Sequence, residues 1–468
     1  MRSQQGESPI LKDLAKARPE NEPNDNDATQ EDDEIKPVSP GYLRYALVLL
    51  LIIFTLNYID RQIINILAEP IKQELGLADW QLGVMTGLAF AVFYSLLGIP
   101  IARFAEYGNR PLIISLSIGF WSAFTVLCGV ARNFVQLVLV RVGVGVGEAG
   151  CAPAALSLIS DYAPKQKRAS AIAFFSIGTP LGFLIGTTVG GLIADMYGWR
   201  VAFYVAGAPG ILIAFIAYFT LREPRAAQAL QAVKTAENRV NFRDAMKLLY
   251  NKKTYWLIVF GFAIKSFISY GHSPFTASFF LRNHAEEIAS LAAQFNVQSI
   301  GFLGLALGGI GGTAGVIGTF LGGYLADRFS KNDIKAYVTI PAVASLVTIP
   351  LYISAILVGS AVAAIFLLAL QAVVNALWFG PVFATAQTIV PRHVRATATA
   401  VLMLVVNLIG LGLGPVGVGL MSDIFAHQFN MGEGEGLRWS LIVSTFPGFL
   451  AAYLFWRARR TVVEETEQ

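Results

Sequence analysis

Charge is what this chain is short of. Asp, Glu, Lys and Arg make up 14% of its 468 residues and hydrophobic residues 55%, whereas a soluble domain carries about 25% charge. Water is therefore not the solvent around most of it. Cysteine is nearly absent. The two present, Cys128 and Cys151, fall in apolar runs without metal-ligand spacing, which excludes a disulfide scaffold and reads as two buried thiols. The four histidines, His272, His284, His393 and His427, form no His-Glu-x-x-His pattern, and neither a Walker sequence nor a Gly-x-Ser-x-Gly turn occurs. ATP is then not the energy source, and no metal or cofactor is expected. Residues 1–40 hold no basic stretch followed by an apolar one, so no cleaved signal peptide is expected.

Glycine (44 residues) and proline (20) are plentiful instead, and many sit inside apolar runs, as they do in membrane helices. Apolar segments fall near 43–67, 81–104, 112–130, 134–162, 169–196 and 201–221, and again near 254–281, 300–326, 337–358, 361–390, 396–424 and 437–456. Each is close to the roughly 20 residues of one bilayer crossing. They are too long and too continuous for the strands of a membrane barrel. The expected fold is an all-α integral membrane protein of twelve transmembrane helices in two pseudo-symmetric six-helix halves. Residues 1–40, rich in Asp and Glu, read as a disordered cytoplasmic tail. Residues 41–222 form the N-terminal half and 254–460 the C-terminal half. Between them, 223–253 is basic and carries Phe242, Met246 and Leu249 at helical spacing, a cytoplasmic linker with a surface-lying amphipathic helix; 461–468 is a short tail. Basic residues collect in the loops on the side of this linker, which puts both termini in the cytoplasm.

An internal repeat supports the division. Pro164-Lys-Gln-Lys-Arg-Ala-Ser-Ala171 recurs as Pro391-Arg-His-Val-Arg-Ala-Thr-Ala398, the loop 102–110 aligns with 323–331, and Gly191-Leu-Ile-Ala-Asp195 aligns with Gly419-Leu-Met-Ser-Asp423. Parallel six-helix halves rocking about a midplane site are a known transporter architecture. These elements resemble the signatures of the major facilitator superfamily. Gly323-Tyr-Leu-Ala-Asp327-Arg328-Phe-Ser-Lys331 resembles its loop motif in full. The first copy is degenerate, with Ala102, Glu106 and Tyr107 in place of glycine, aspartate and arginine. The resemblance implies that Glu106, Arg110, Asp327, Arg328 and Lys331 latch one half to the other. Within the superfamily, Asn57-Tyr58-Ile-Asp60-Arg61, Gly145-Val-Gly147-Glu148-Ala149 and Ile177-Gly178-Thr-Pro180-Leu-Gly182 resemble the spinster-like branch. That implies a bacterial homologue of proton-linked carriers of sphingolipids and lysophospholipids.

Charge inside a bilayer costs a few kcal/mol or more per group, so intramembrane ions point to function. Five lie in helix interiors: Asp60, Arg61, Arg141, Glu148 and Lys265. Arg141 and Glu148 are seven residues apart on one helix, hence on nearly one face and about 10 Å apart along it. Asp60 lies seven residues before the end of the first span and Arg141 seven after the start of the fourth, at similar depth. The four charges are expected to form one cluster that sums to zero. A carboxylate whose arginine contacts change with conformation binds and releases protons. Glu148 is thus the expected proton acceptor with Asp60 coupled to it, and Arg61 and Arg141 are the forks for an anionic substrate group. The competing reading is a buried pair that only holds helices in register.

Asn57, Tyr58, Lys265, Tyr270, His272, Asn375, Trp378 and Asn407 are expected to line a cavity, with Pro274 kinking or breaking the seventh helix. The leading function is a secondary transporter working by alternating access, coupled to protons and carrying a lipid-like amphiphile. A carrier of small organic anions fits the same charges. An integral-membrane lipid enzyme lacks a nucleophile with its base. The expected partners are the bilayer, protons and a small amphiphilic or anionic substrate, with no nucleic acid. The expected setting is a monomer in a bacterial cytoplasmic membrane.

Overall fold

The computed structural model describes residues 38–224, 242–331 and 333–466. The acidic tail, most of the linker and the last two residues lie outside the described part. The described residues form helices and no strand. Eleven segments are long and apolar enough to cross a membrane: α1 (Pro40–Ile66), α2 (Asp79–Gly98), α3 (Arg110–Cys128), α4 (Phe134–Tyr162), α5 (Lys165–Tyr197), α6 (Trp199–Thr220), α8 (Ser299–Ser330), α9 (Ala336–Leu357), α10 (Ala361–Thr388), α11 (Thr397–Gln428) and α12 (Gly432–Ala458). The twelfth, α7 (Lys253–Asn283), is 31 residues long. It is more polar because it carries Lys265, His272 and Arg282, all taken into the protein interior.

Local chemistry sets the helix starts. Ser39 Oγ accepts from the Tyr42 amide and Pro40 opens α1; Asn109 and Asn133 cap α3 and α4 through the amides of Leu112 and Gln136, each satisfying an amide that the helix itself leaves bare. α7 runs unbroken through Pro274, its neighbours holding the turn where one backbone bond is missing. α11 widens into a π-helical turn at Asn407–Leu413.

The first and last six spans form the two halves, and both termini of the membrane region share one end with residues 222–224 and 242–253. We call this the linker end and the opposite one the far end. The halves meet along α5 against α8 and α2 against α11. The first contact requires glycine: a Cβ on Gly191 would lie 2.9 Å from Gly304 Cα, and one on Gly304 would lie 2.8 Å from the Thr187 carbonyl oxygen. At the far end one apolar cluster crosses between halves, joining Leu67, Leu82 and Phe203 to Phe275, Leu303, Val418 and Leu437. Toward the linker end each half keeps its own core, around Leu50, Trp121 and Leu158 in one and Tyr255, Val382 and Phe455 in the other. The helix Phe242–Tyr250 joins that second core through Leu249, whose carbonyl accepts from Trp256 Nε1 at 3.0 Å. The linker helix is thus pinned to the C-terminal half along its buried face.

Candidate functional site

The intramembrane charges of the first half converge. α1 turns Asn57 and Asp60, three residues apart, into the interior, at 3% and 1% exposure; α4 does the same with Arg141 and Glu148, at 2% and 1%. Arg61 Nε donates to Glu148 Oε2 at 2.6 Å. Asn57 and Arg141 stand beside Glu148, while Asp60 is surrounded by Arg141, Thr125 and Trp121. The expected four-charge cluster is therefore present, with one direct ion pair and two flanking charges. Three of its atoms are buried without a hydrogen-bond partner among the described residues: Asp60 Oδ1, Glu148 Oε1 and Arg141 Nε. Such unmet groups cost free energy where they lie.

Aromatic rings hold the arginines. The Arg61 guanidinium carbon lies 4.5 Å from the Tyr94 ring centre, 5.0 Å from Phe90 and 5.4 Å from Tyr58, and that of Arg141 lies 5.4 Å from Phe90. Cation–π attraction partly replaces lost hydration. Phe90 thus serves both guanidiniums. It comes this close because α4 presents glycine: a Cβ on Gly145 would lie 2.7 Å from the Phe90 carbonyl oxygen. Tyr270, from α7, borders Arg61, Tyr58 and Tyr94.

The second half contributes a separate polar group. Lys265 Nζ donates to Asn375 Oδ1 at 2.8 Å and to Thr348 Oγ1 at 3.3 Å, and Asn375 Nδ2 donates to Ser269 at 3.3 Å. Lys265 is 2% exposed and makes no ion pair among the described residues. His272 Nε2 lies 2.9 Å from Ser444 Oγ, and its ring stacks on Tyr352 at 4.3 Å. Asn375, His272 and Tyr352 border a cavity of about 320 Å³ between α1, α5, α7, α8, α9 and α10, whose lining also includes the polar Gln62, Asn65 and Gln371 and the apolar Phe183, Leu307 and Leu368. Of the eight residues expected to line a cavity, His272 and Asn375 border this one; Asn57, Tyr58 and Tyr270 stand at the charge cluster of the first half, Lys265 is buried against Asn375, and the other two stand elsewhere. Trp378 is buried against Phe262 and Phe379, and Asn407 starts the π-helical turn of α11.

The latch residues hold to their own halves in this conformation. Arg110 binds Glu223, Asp161 and Ser157; Asp327 accepts from Tyr337 at 2.8 Å, and Arg328 donates to Tyr324 at 3.0 Å. Lys331 is exposed, and the side chain of Glu106 is outside the described set.

Polar contacts between the halves are made instead at the far end, by residues that sequence reasoning passed over. Arg282 of α7 binds Glu69 at 2.6 Å and Asp79 at 2.8 Å, and Lys72 binds Asp79 at 2.8 Å and Glu433 at 2.9 Å. Asp423, at the end of α11, accepts from the amides of Asp79 and Trp80, and Asp195, at the end of α5, accepts from those of Gln298 and Gly301. Asn65 Nδ2 donates across to Ser273 Oγ at 3.0 Å. The sequence held one signal for this, the aspartates that end the repeated Gly-Leu-x-x-Asp segments. The far end is closed by charge, hydrogen bonds and apolar packing together.

The profile of the Major Facilitator Superfamily matches residues 50–415. The chain belongs to the Major Facilitator Superfamily. An MFS-type efflux pump of Mycolicibacterium smegmatis is 31% identical over 426 residues, covering 90% of this chain and 94% of that protein. The hexuronate transporter of Bacillus subtilis is 25% identical over 405 residues, covering 84% and 91%. Among solved structures, a bacterial homolog of the human lysosomal transporter Spinster, in an inward-facing and occupied conformation, superposes with a TM-score of 0.80 at 33% identity, covering 92% of this chain and 99% of that one. This places the chain in the spinster-like part of the superfamily. It is a multi-pass membrane transporter and not an enzyme.

Proposed function

We propose that this transporter works by alternating access, is coupled to protons through Glu148 and Asp60, and carries a lipid-like amphiphile with an anionic head. The observation that carries the reading is the Arg61–Glu148 pair at 2.6 Å with Glu148 Oε1 and Asp60 Oδ1 left unsatisfied beside it. A carboxylate held by an arginine in one conformation and left in apolar surroundings in another gives up and takes up a proton. Once Glu148 is protonated, the Arg61 fork is free for a phosphate or carboxylate. The cavity supports an amphiphile because its lining mixes amide side chains with apolar ones. Lys265, buried without a carboxylate, would complete its charge with the substrate's. The basic loops favour a cytoplasmic linker end, and a bacterial cytoplasmic membrane follows from the bacterial relatives. The site lies within one chain, which suits a monomer.

A second reading, a carrier of small organic anions, is favoured by the amide-rich lining of Gln62, Asn65, Gln371 and Asn375 and by the hexuronate transporter among its relatives. The test is uptake of labelled lysophospholipid into proteoliposomes under an imposed pH gradient, comparing wild type with Glu148→Gln. Gradient-driven uptake lost in the variant supports proton-coupled lipid transport. No uptake by folded wild type, with uptake of a hexuronate instead, would replace the first reading by the second. Equal uptake by both proteins would return Glu148 to a helix-holding role.

A further inference from the structure

A second cavity, of about 450 Å³, lies away from the transport site at the linker end, between the start of α7 and the end of α12. Its polar rim is Lys253, Arg457 and Arg460, and its wall includes Trp256, Phe260 and Leu454. Among the described residues no carboxylate lines it. All three cations are exposed. Lys253 and Arg460 make no ion pair among the described residues, and Arg457 only donates to the Tyr453 hydroxyl at 2.9 Å. The wall runs toward the membrane interior: Phe260 stands seven residues beyond Lys253, about 10 Å along the helix. Phe260, Leu450 and Tyr453 remain 45–53% exposed there.

Three cations at a membrane boundary, unpaired among the described residues and above an apolar face that continues inward, have the charge and shape complement of one molecule. We propose that this cavity binds an anionic phospholipid, its phosphate on Lys253, Arg457 and Arg460 and its acyl chains along Phe260 and Leu454. Basic pockets between spans recognise such head groups, and each surface cation adds about a fivefold preference for anionic over neutral lipid. The lipid would tie α7 to α12 at the point where the chain arrives from the linker helix, since Tyr250 also borders the cavity.

The test uses the full-length protein, purified and stripped of lipid. Native mass spectrometry and thermal unfolding are followed on adding phosphatidylglycerol, phosphatidylcholine of the same chains, or glycerol phosphate alone. The expected result is a preference for phosphatidylglycerol of ten- to a hundredfold. It should be lost in Lys253→Gln/Arg457→Gln/Arg460→Gln, reduced in Arg460→Gln alone, and kept in Lys247→Gln, an exposed cation outside the cavity. An equal response to both lipids, or an undiminished preference in the triple variant, would overturn the proposal. A full response to glycerol phosphate would assign the site to a free anion and overturn the lipid.

Discussion

Asp195 and Asp423 perform one task in opposite halves. Each ends a Gly-Leu-x-x-Asp repeat, and each caps the first amides of a helix in the other half, Asp195 at α8 and Asp423 at α2. A carboxylate at a helix start satisfies bare amides and meets the positive end of the helix dipole. Because the caps span the interface, they exist only while the far end is closed. Asp423→Asn should weaken closure by about 1 kcal/mol, and the double variant with Asp195→Asn by about twice that. Labelling of Thr276→Cys, which lines the transport cavity, by an impermeant thiol reagent from the far face reads this out. The rate should rise in each variant and most in the double one.

Arg282 carries more of the same closure. Removing it leaves Glu69 and Asp79 as buried acids short of a partner, a change of about 3–5 kcal/mol. Arg282→Gln should therefore open the far end further than either aspartate variant. The same labelling assay, run beside thermal unfolding, distinguishes opening from unfolding.

Glu148→Gln should abolish accumulation driven by a pH gradient while leaving exchange of substrate across equal concentrations. Asp60→Asn should shift the pH dependence of transport rather than remove transport. Counterflow and gradient-driven uptake in the same vesicles separate the two.

Lys265→Met replaces a buried cation lacking an acidic partner by an apolar side chain of similar length. Such changes are often neutral or stabilising, by up to about 4 kcal/mol. The melting temperature should hold or rise, and KM for an anionic substrate should rise about tenfold, with neutral analogues less affected.

Glu287, in the far-end helix Ala285–Gln294, accepts from the Ala361 amide at 2.6 Å and from Ser360 Oγ at 3.0 Å. The Ala361 amide, with Ser360 and Val362, holds its carboxyl below the ordinary glutamate value against the opposing effect of burial. A lowered folded value means the contact stabilises above the unfolded value, near pH 4, and is lost as pH falls through the folded one. Protection of the amides at the start of α10 against exchange, taken relative to the intrinsic rate at each pH, should fall below pH 4 in wild type. In Glu287→Gln it should already be lower at neutral pH and flat over that range.

The spans, the two halves and the convergence of Asp60, Arg61, Arg141 and Glu148 were legible in the sequence, because apolar length and helical spacing fix which residues can share a depth. The ring set around Arg61 was not, since Phe90 and Tyr94 look like any other apolar-run aromatics until α2 is placed against α4. The far-end ion cluster escaped for a related reason. Lys72, Asp79 and Arg282 sit at span ends, where charges ordinarily face water, and only the docking of the two halves turns them inward. Trp378 and Asn407 show the converse: a polar atom in an apolar run does not say which way its helix is rotated.

The division of the apolar packing, shared at the far end and separate at the linker end, makes the two openings unequal in their demand on water. Water that enters between the halves from the linker end wets two cores that are largely separate, with Leu411 packed across onto the first of them. Parting the far end instead hydrates Phe203, Phe275 and Leu437, which are dry together, and that penalty grows with the area uncovered. On this count the linker end is the easier of the two to open, and a cargo shifts the balance the other way only by interacting more strongly with the opposite state.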